Sequence, residues 1–153
     1  MGLAIRKATI AELAEVPHIY ELLDEYASES SISGLPHPFA KVEVYKNLEA
    51  NGAIEVIGSF LDGELVGFII VLAPILPHYS ARVAVVESFF VMKEYRKTGA
   101  GLKLEKAARE YAKEQNSCGI LFSSPVGGSL AEVLPKIGYT ETNRVFFRSI
   151  SDE

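Results

Sequence analysis

Cysteine is almost absent: Cys118 is the only one in 153 residues, so no internal disulfide can staple the chain, and a reducing compartment, by default the cytoplasm, suits it. No window approaches the roughly 18 uninterrupted apolar residues of a membrane span, and the opening MGLAIRK lacks the charged-then-apolar layout of a secretory signal. The myristoylation pattern that Gly2 invites wants Ser or Thr where Arg6 stands. Charge of one sign is also scarce. Fifteen basic against twenty acidic residues leave a net −5, which repels nucleic acid and anionic membranes and mildly favours an amine partner. His18, His37 and His78 have no metal-ligand spacing, so no metal is expected. Repeats, low-complexity tracts and linkers are missing too, and the length suits one core without staples: a single domain over residues 1–153.

What is present is an ordinary globular composition, 48% apolar, arranged in short alternating and helical periods. Leu3–Ala8 reads as an opening strand, and Thr9-Ile-Ala-Glu12 has the spacing of a capping box that starts a helix near Ile10. After Pro17 the stripe Ile19, Leu22, Leu23, Tyr26 predicts a second helix, and Val42, Tyr45, Leu48 a third. The Ser/Gly/Pro-rich residues 28–38 between them read as a loop. Ile54–Leu61 and Glu64–Leu72 are β-rich runs joined by Asp62-Gly63, a tight hairpin signal.

A proline-punctuated loop at 74–81 precedes a strand at 82–91, after which the period switches to helical, with Leu104, Ala107, Ala108 and Tyr111 on one stripe. A buried strand at 119–123, a short helix at 129–137 and a last strand at 144–150 complete the order. The expected fold class is α/β (α+β): a mixed, mostly antiparallel central sheet flanked by helices, with one βαβ unit near 82–123.

The stretch from Glu87 to Gly101 joins a strand to a Gly-containing turn that opens an amphipathic helix. The first N–H groups of a helix lack internal partners and sit at the positive end of its dipole, so a phosphate is favoured there, and Gly99 and Gly101 let it approach. A dinucleotide fingerprint would need a third glycine where Leu104 stands, and the nucleotide P-loop pattern does not occur.

Arg96, Gly99 and Gly101, spaced as Arg-x-x-Gly-x-Gly behind a strand ending in Val91, resemble motif A of the GNAT acetyltransferases. The acid at 87, the aromatic-aromatic-Val run at 89–91 and Glu-Tyr-Arg at 94–96 resemble polyamine-type members in particular. The resemblance implies the acyl-CoA N-acyltransferase fold, acetyl-CoA as cosubstrate, and transfer of its acetyl group to a primary amine on a small molecule or peptide. It implies that backbone groups of Phe89, Phe90 and Val91 bond the pantetheine arm as an added strand would. Arg96, Lys97, Thr98, Gly99, Ala100, Gly101 and Leu102 would hold the pyrophosphate, mostly through N–H groups, with Lys97 and Lys103 adding charge. Glu87 would be the catalytic base, sharing a face with Phe89 and Val91 unless a bulge interrupts the alternation. Lining groups for the acceptor would be Tyr26, Glu29, His37 and Tyr79, and exposed β-edges allow a homodimer.

The family's second motif is not matched. Where it carries Asn and a thiolate-protonating Tyr, this chain has Gly127 and Leu134, with Pro135 disfavouring helical geometry at Leu134. Tyr79 and Tyr139 are the substitute acids considered, alongside water. Ser129 and Glu132 have capping-box spacing, and Cys118 reads as a small buried side chain. A coenzyme-binding protein without turnover is the competing expectation.

Overall fold

The computed structural model describes residues 2–39 and 41–151. Strand β1 is Leu3–Ala8, followed by helices α1 (Ile10–Ala14), α2 (Ile19–Ser30) and α3 (Val42–Ala50). Strands β2 (Ile54–Leu61) and β3 (Glu64–Leu72) form the expected hairpin, and Asp62 and Gly63 both take positive φ, 51° and 87°, as a two-residue turn of this hand demands. Strands β4 (Ile75–Leu76) and β5 (Ala81–Arg82) pair as a small separate hairpin where the sequence suggested only a loop. Strand β6 (Ala84–Val91), a 3₁₀ turn (Lys93–Tyr95), helix α4 (Ala100–Glu114), strand β7 (Ile120–Leu121), helix α5 (Leu130–Val133) and a 3₁₀ turn (Leu134–Ile137) follow.

The main sheet runs β1-β2-β3-β6-β7, antiparallel except for the β6–β7 pair, which α4 connects. Every residue of β3 from Leu65 to Val71 is buried, a pattern that requires cover on both faces of the sheet. One face carries Val56, Phe68, Ile70 and Phe90 against Ile10, Leu13, Ile19 and Leu22 of α1 and α2. The other carries Ile57, Ile69, Val71, Ala84 and Val86 against Ala100, Leu104, Ala108 and Tyr111 of α4. Complete burial of a leucine such as Leu104 contributes about 1.5–3 kcal/mol, so the α4 stripe fixes that helix on the sheet.

Gly67 sets how closely β6 approaches β3. A methyl group there would stand 2.7 Å from the Phe90 carbonyl oxygen and 2.9 Å from Ser59 Oγ, so only glycine lets residues 90–91 lie where they do.

Four expectations need correction. The strand expected buried over 119–123 is only Ile120–Leu121, and Leu121 is 37% exposed. Residues 144–150 form no strand: Val145 and Phe146 are 82% and 89% exposed, and strand propensity is realised only against a partner edge. Ser129 makes no capping bond and is itself helical. Leu134 keeps helical angles before Pro135; the strain is taken up instead by tightening of the last turn to 3₁₀. Thr9 Oγ1 does cap α1, accepting from the Glu12 N–H at 3.0 Å, although the Glu12 carboxylate pairs with Arg6 rather than returning to Thr9. No helix among the described residues is long and apolar enough to cross a membrane.

Candidate active site

The site is built where β6 and β7 part. Their pairing is confined to Ala84 with Ile120 and Val85 with Leu121, so residues 86–91 of β6 have a strand neighbour on the β3 side only. Beyond the last pair, contact passes through aromatic rings: Phe122 meets Phe89 edge-on at 5.1 Å, and Tyr139 meets Phe122 at 5.9 Å. An extended ligand can lie along a strand edge of this kind.

The register of β3 against β6 shifts between Ile70 and Val71. Ile70 opposes Ser88, Val71 opposes Val86, and Glu87 is the extra residue without a partner. Strict alternation puts Glu87 on the face of Phe89 and Val91; the bulge overturns that expectation. Phe89 and Val91 pack on the α4 side, whereas Glu87 turns to the α2–α3 side with Phe90. There the Tyr45 hydroxyl donates to Glu87 Oε1 at 2.8 Å, and Ser88 Oγ donates to Oε2 at 2.8 Å.

Burial raises the Tyr45 phenol well above its ordinary value of 10.0, and the charge and hydrogen bond of Glu87 raise it further. Tyr45 is therefore a committed donor to the carboxylate. Tyr26, on α2, is raised mainly by burial and then by Glu87, with the Ser30 and Ser88 hydroxyls pulling the other way. Phe39 closes the cluster: its ring stacks on Tyr45 at 4.5 Å and meets Tyr26 at 5.6 Å, while its φ of 60° is a left-handed conformation costly for a bulky side chain.

At the other end of the edge lies the turn into α4. Gly99, with φ 87°, is the N-cap and offers no side chain, and Thr98 Oγ1 accepts the Ala100 N–H at 3.3 Å. Lys103 N–H bonds Gly99 O, but the N–H groups of Lys97, Gly99, Gly101 and Leu102 have no intramolecular acceptor among the described residues. A Cβ at Gly101 would meet nothing nearer than Phe89 at 3.5 Å, so the approach over this turn is open. Free amides on a helix start, beside a half-free strand edge, fit an extended thioester carrying a diphosphate.

The side chain of Arg96 does not stay with the other groups of the turn. Its Nε donates to Val91 O at 2.8 Å and its terminal nitrogen reaches both carboxylate oxygens of Glu29, at 3.0 and 2.8 Å. Glu29, expected as an acceptor contact, is thus already engaged. Of the other expected lining groups, Tyr26 stands beside Glu87, but His37 bonds Pro38 O on an exposed loop and Tyr79 sits 62% exposed against His78, with no contact to Glu87. Tyr139 donates to the buried Glu105 at 2.7 Å, and burial followed by that bond raises its phenol, so its proton is firmly held. Leu134 is buried; Cys118, contrary to expectation, is exposed. No cluster of metal-ligating side chains occurs among the described residues.

Sequence reading missed Tyr45 and the Glu25 and Glu29 links of α2. Tyr45 was legible only as a member of an apolar helical stripe; its hydroxyl partner lies 42 positions away, and no local spacing announces it.

A sheet split between parallel strands, a bulged carboxylate and an anion-ready turn define an acyl-carrier-binding fold. The family model described as Acetyltransferase (GNAT) family matches residues 16–126, and the chain belongs to that family, whose cosubstrate is acetyl-CoA. No curated protein sequence matches it. Solved structures of the same fold include a ribosomal-protein-alanine N-acetyltransferase from Brucella melitensis biovar Abortus 2308, with 18% identity, TM-score 0.72, 97% of this chain and 98% of the other covered. AAC(6')-Iy in complex with the bisubstrate analogue CoA-S-monomethyl-acetylneamine has 18% identity and TM-score 0.76, with 97% of each chain covered. A transcriptional regulator from Bacillus halodurans C-125 has 20% identity and TM-score 0.75, covering 96% and 99%. At these identities the likeness is one of fold.

Proposed function

We propose that this chain is an N-acetyltransferase that moves an acetyl group from acetyl-CoA to a primary amine by direct attack, with Glu87 as the base. The carrying observation is Glu87 itself: a residue that a bulge leaves out of the strand ladder, its carboxylate held by two hydroxyl donors, on the strand whose far edge is free. The bound coenzyme supplies an acyl carbon activated as a thioester. The free N–H groups of Lys97, Gly99, Gly101 and Leu102 hold its diphosphate, with the Lys97 and Lys103 ammonium groups adding charge. The backbone of Phe89, Phe90 and Val91 aligns the pantetheine arm. Glu87 takes a proton from the ammonium nitrogen, freeing its lone pair; the N–C bond forms and the C–S bond breaks, and the sulfur leaves as thiolate, which takes up, through water, the second proton that the acylated nitrogen loses.

Tyr26, Phe39 and Tyr45 wall the acceptor side. The relatives in fold include one described as acting on a ribosomal protein and one bound to a neamine analogue, so peptide amines and small polyamines both belong in a test panel. The polyamine-type likeness of residues 87–96 supports including linear polyamines. The whole chain acts as one domain in the cytoplasm, where acetyl-CoA is available.

The test is release of coenzyme thiol over that panel. Glu87→Gln should lower kcat by about 10²–10⁴-fold while acetyl-CoA affinity stays the same; an unchanged kcat removes Glu87 from the chemistry. A second reading, a coenzyme-binding sensor or interaction module, is favoured by Gly127 and Leu134 at the usual Asn and Tyr positions, and one structure of the same fold is described as a transcriptional regulator. Tight binding with no turnover on any amine would select it.

A further inference from the structure

The geometry points to Glu29, with Glu25 one turn before it on α2, as positioning residues of the coenzyme turn that act through Arg96 and the Lys93 main chain, not through the coenzyme. The inference rests on the reading of that turn as the diphosphate site. Arg96 is the one arginine of the turn and a natural anion ligand, yet two of its three guanidinium nitrogens are turned to the protein, Nε on Val91 O and one terminal nitrogen on both Glu29 oxygens, with Cζ 5.2 Å from the centre of the Phe90 ring. Glu25 Oε2 meanwhile accepts the Lys93 N–H at 3.1 Å.

Most other hydrogen bonds of residues 92–98 stay inside the turn: Tyr95 N–H to Met92 O, Arg96 N–H to Lys93 O, and Thr98 N–H and Oγ1 to Tyr95 O. Met92 and Tyr95 pack on the two cores. Among the described residues, the hydrogen bonds that tie this segment to the body of the protein, besides Met92 N–H on Val66 O and Arg96 Nε on Val91 O, come from the two α2 carboxylates. The pair is about a third exposed, so it adds little to global stability. Its contribution is orientation instead: with Nε on Val91 O and one terminal nitrogen shared between the two Glu29 oxygens, the Arg96 side chain is held at two points. Four main-chain N–H groups must converge on one anion, and drift of about 1 Å in their frame weakens all of them together. The same helix carries Tyr26 beside Glu87, so α2 braces both ends of the site.

The alternative, a guanidinium that contacts the diphosphate, predicts opposite signs. Removing Glu29 would then free a cation and tighten binding. The decisive experiment is calorimetry of acetyl-CoA with the full chain, wild type against Glu29→Gln, Arg96→Gln and the double variant, at about 50 and 300 mM salt, with thermal unfolding of each unliganded protein. Each single change should weaken binding about three- to tenfold, the double variant should be within about twofold of either, and the salt dependence should match wild type. Glu29→Asp should recover part of the loss. Wild-type or tighter affinity in Glu29→Gln, additive losses, or a flatter salt dependence in Arg96→Gln would overturn the assignment. So would an unfolding loss in Glu29→Gln large enough to explain the weaker binding. If wild type itself fails to bind acetyl-CoA, the reading of the turn falls first, and that outcome is visible without any variant.

Discussion

At residues 97–102 the groups offered to a ligand are main-chain N–H groups; around Glu87 they are side chains arriving from α2, α3 and β6. The first region needs only a helix start and glycines that leave its amides bare, so its chemistry is written locally. The second needs a bulge, a left-handed phenylalanine and a hydroxyl from a helix 42 positions away to agree on one place. A backbone site survives most side-chain changes and is sensitive to bulk or charge at its glycines. A side-chain site has the reverse sensitivities.

The contrast can be broken most sharply at Gly101. Gly101→Glu adds a carboxylate at the free amides with room for its Cβ, so acetyl-CoA affinity should fall at least about tenfold, ~1.4 kcal/mol, with the unfolding temperature of the unliganded protein not lowered. Equal affinity in a titration would show that the anion binds elsewhere.

Gly67→Ala tests how far the strand edge depends on close approach. The methyl clashes with backbone at Phe90 and Val91, and stability should drop by about 1–3 kcal/mol in denaturant unfolding. A neutral result would mean that β6 can shift without cost.

The smallest effect separates the side-chain region by pH. Because the folded protein holds the Tyr45 proton more tightly than the unfolded chain, whose value is near 10.0, the stability from this group is complete below pH 10.0 and is lost as pH rises above it. Tyr45→Phe should therefore make the alkaline fall in stability shallower, by at most about 1.4 kcal/mol per pH unit, and leave the neutral region's slope alone. An identical slope in wild type and variant would show that the phenol is not held as described.

How much could be read beforehand follows the same division. The Asp62-Gly63 hairpin, the α4 stripe and the Gly99–Gly101 turn depend on neighbours within a few residues, and all three stand as expected. The face of Glu87 could not be read, because one inserted residue in the ladder inverts every side chain beyond it. The strand expected at 144–150 failed for a related reason: its residues favour extended chain, but no edge receives them, and Phe147 instead lies against Gly34. Arg96 was legible as a motif member and not as a partner of Glu29, since that pairing spans 67 positions.

The central claim is that an acyl-coenzyme lies along the β6 edge with its diphosphate on the bare amides before and within the first turn of α4. It is tested most directly by following backbone amide resonances as acetyl-CoA is added. The account predicts the largest shifts at Lys97, Gly99, Gly101 and Leu102, with smaller ones along residues 89–91. Saturating coenzyme that leaves those four amides unmoved would contradict it.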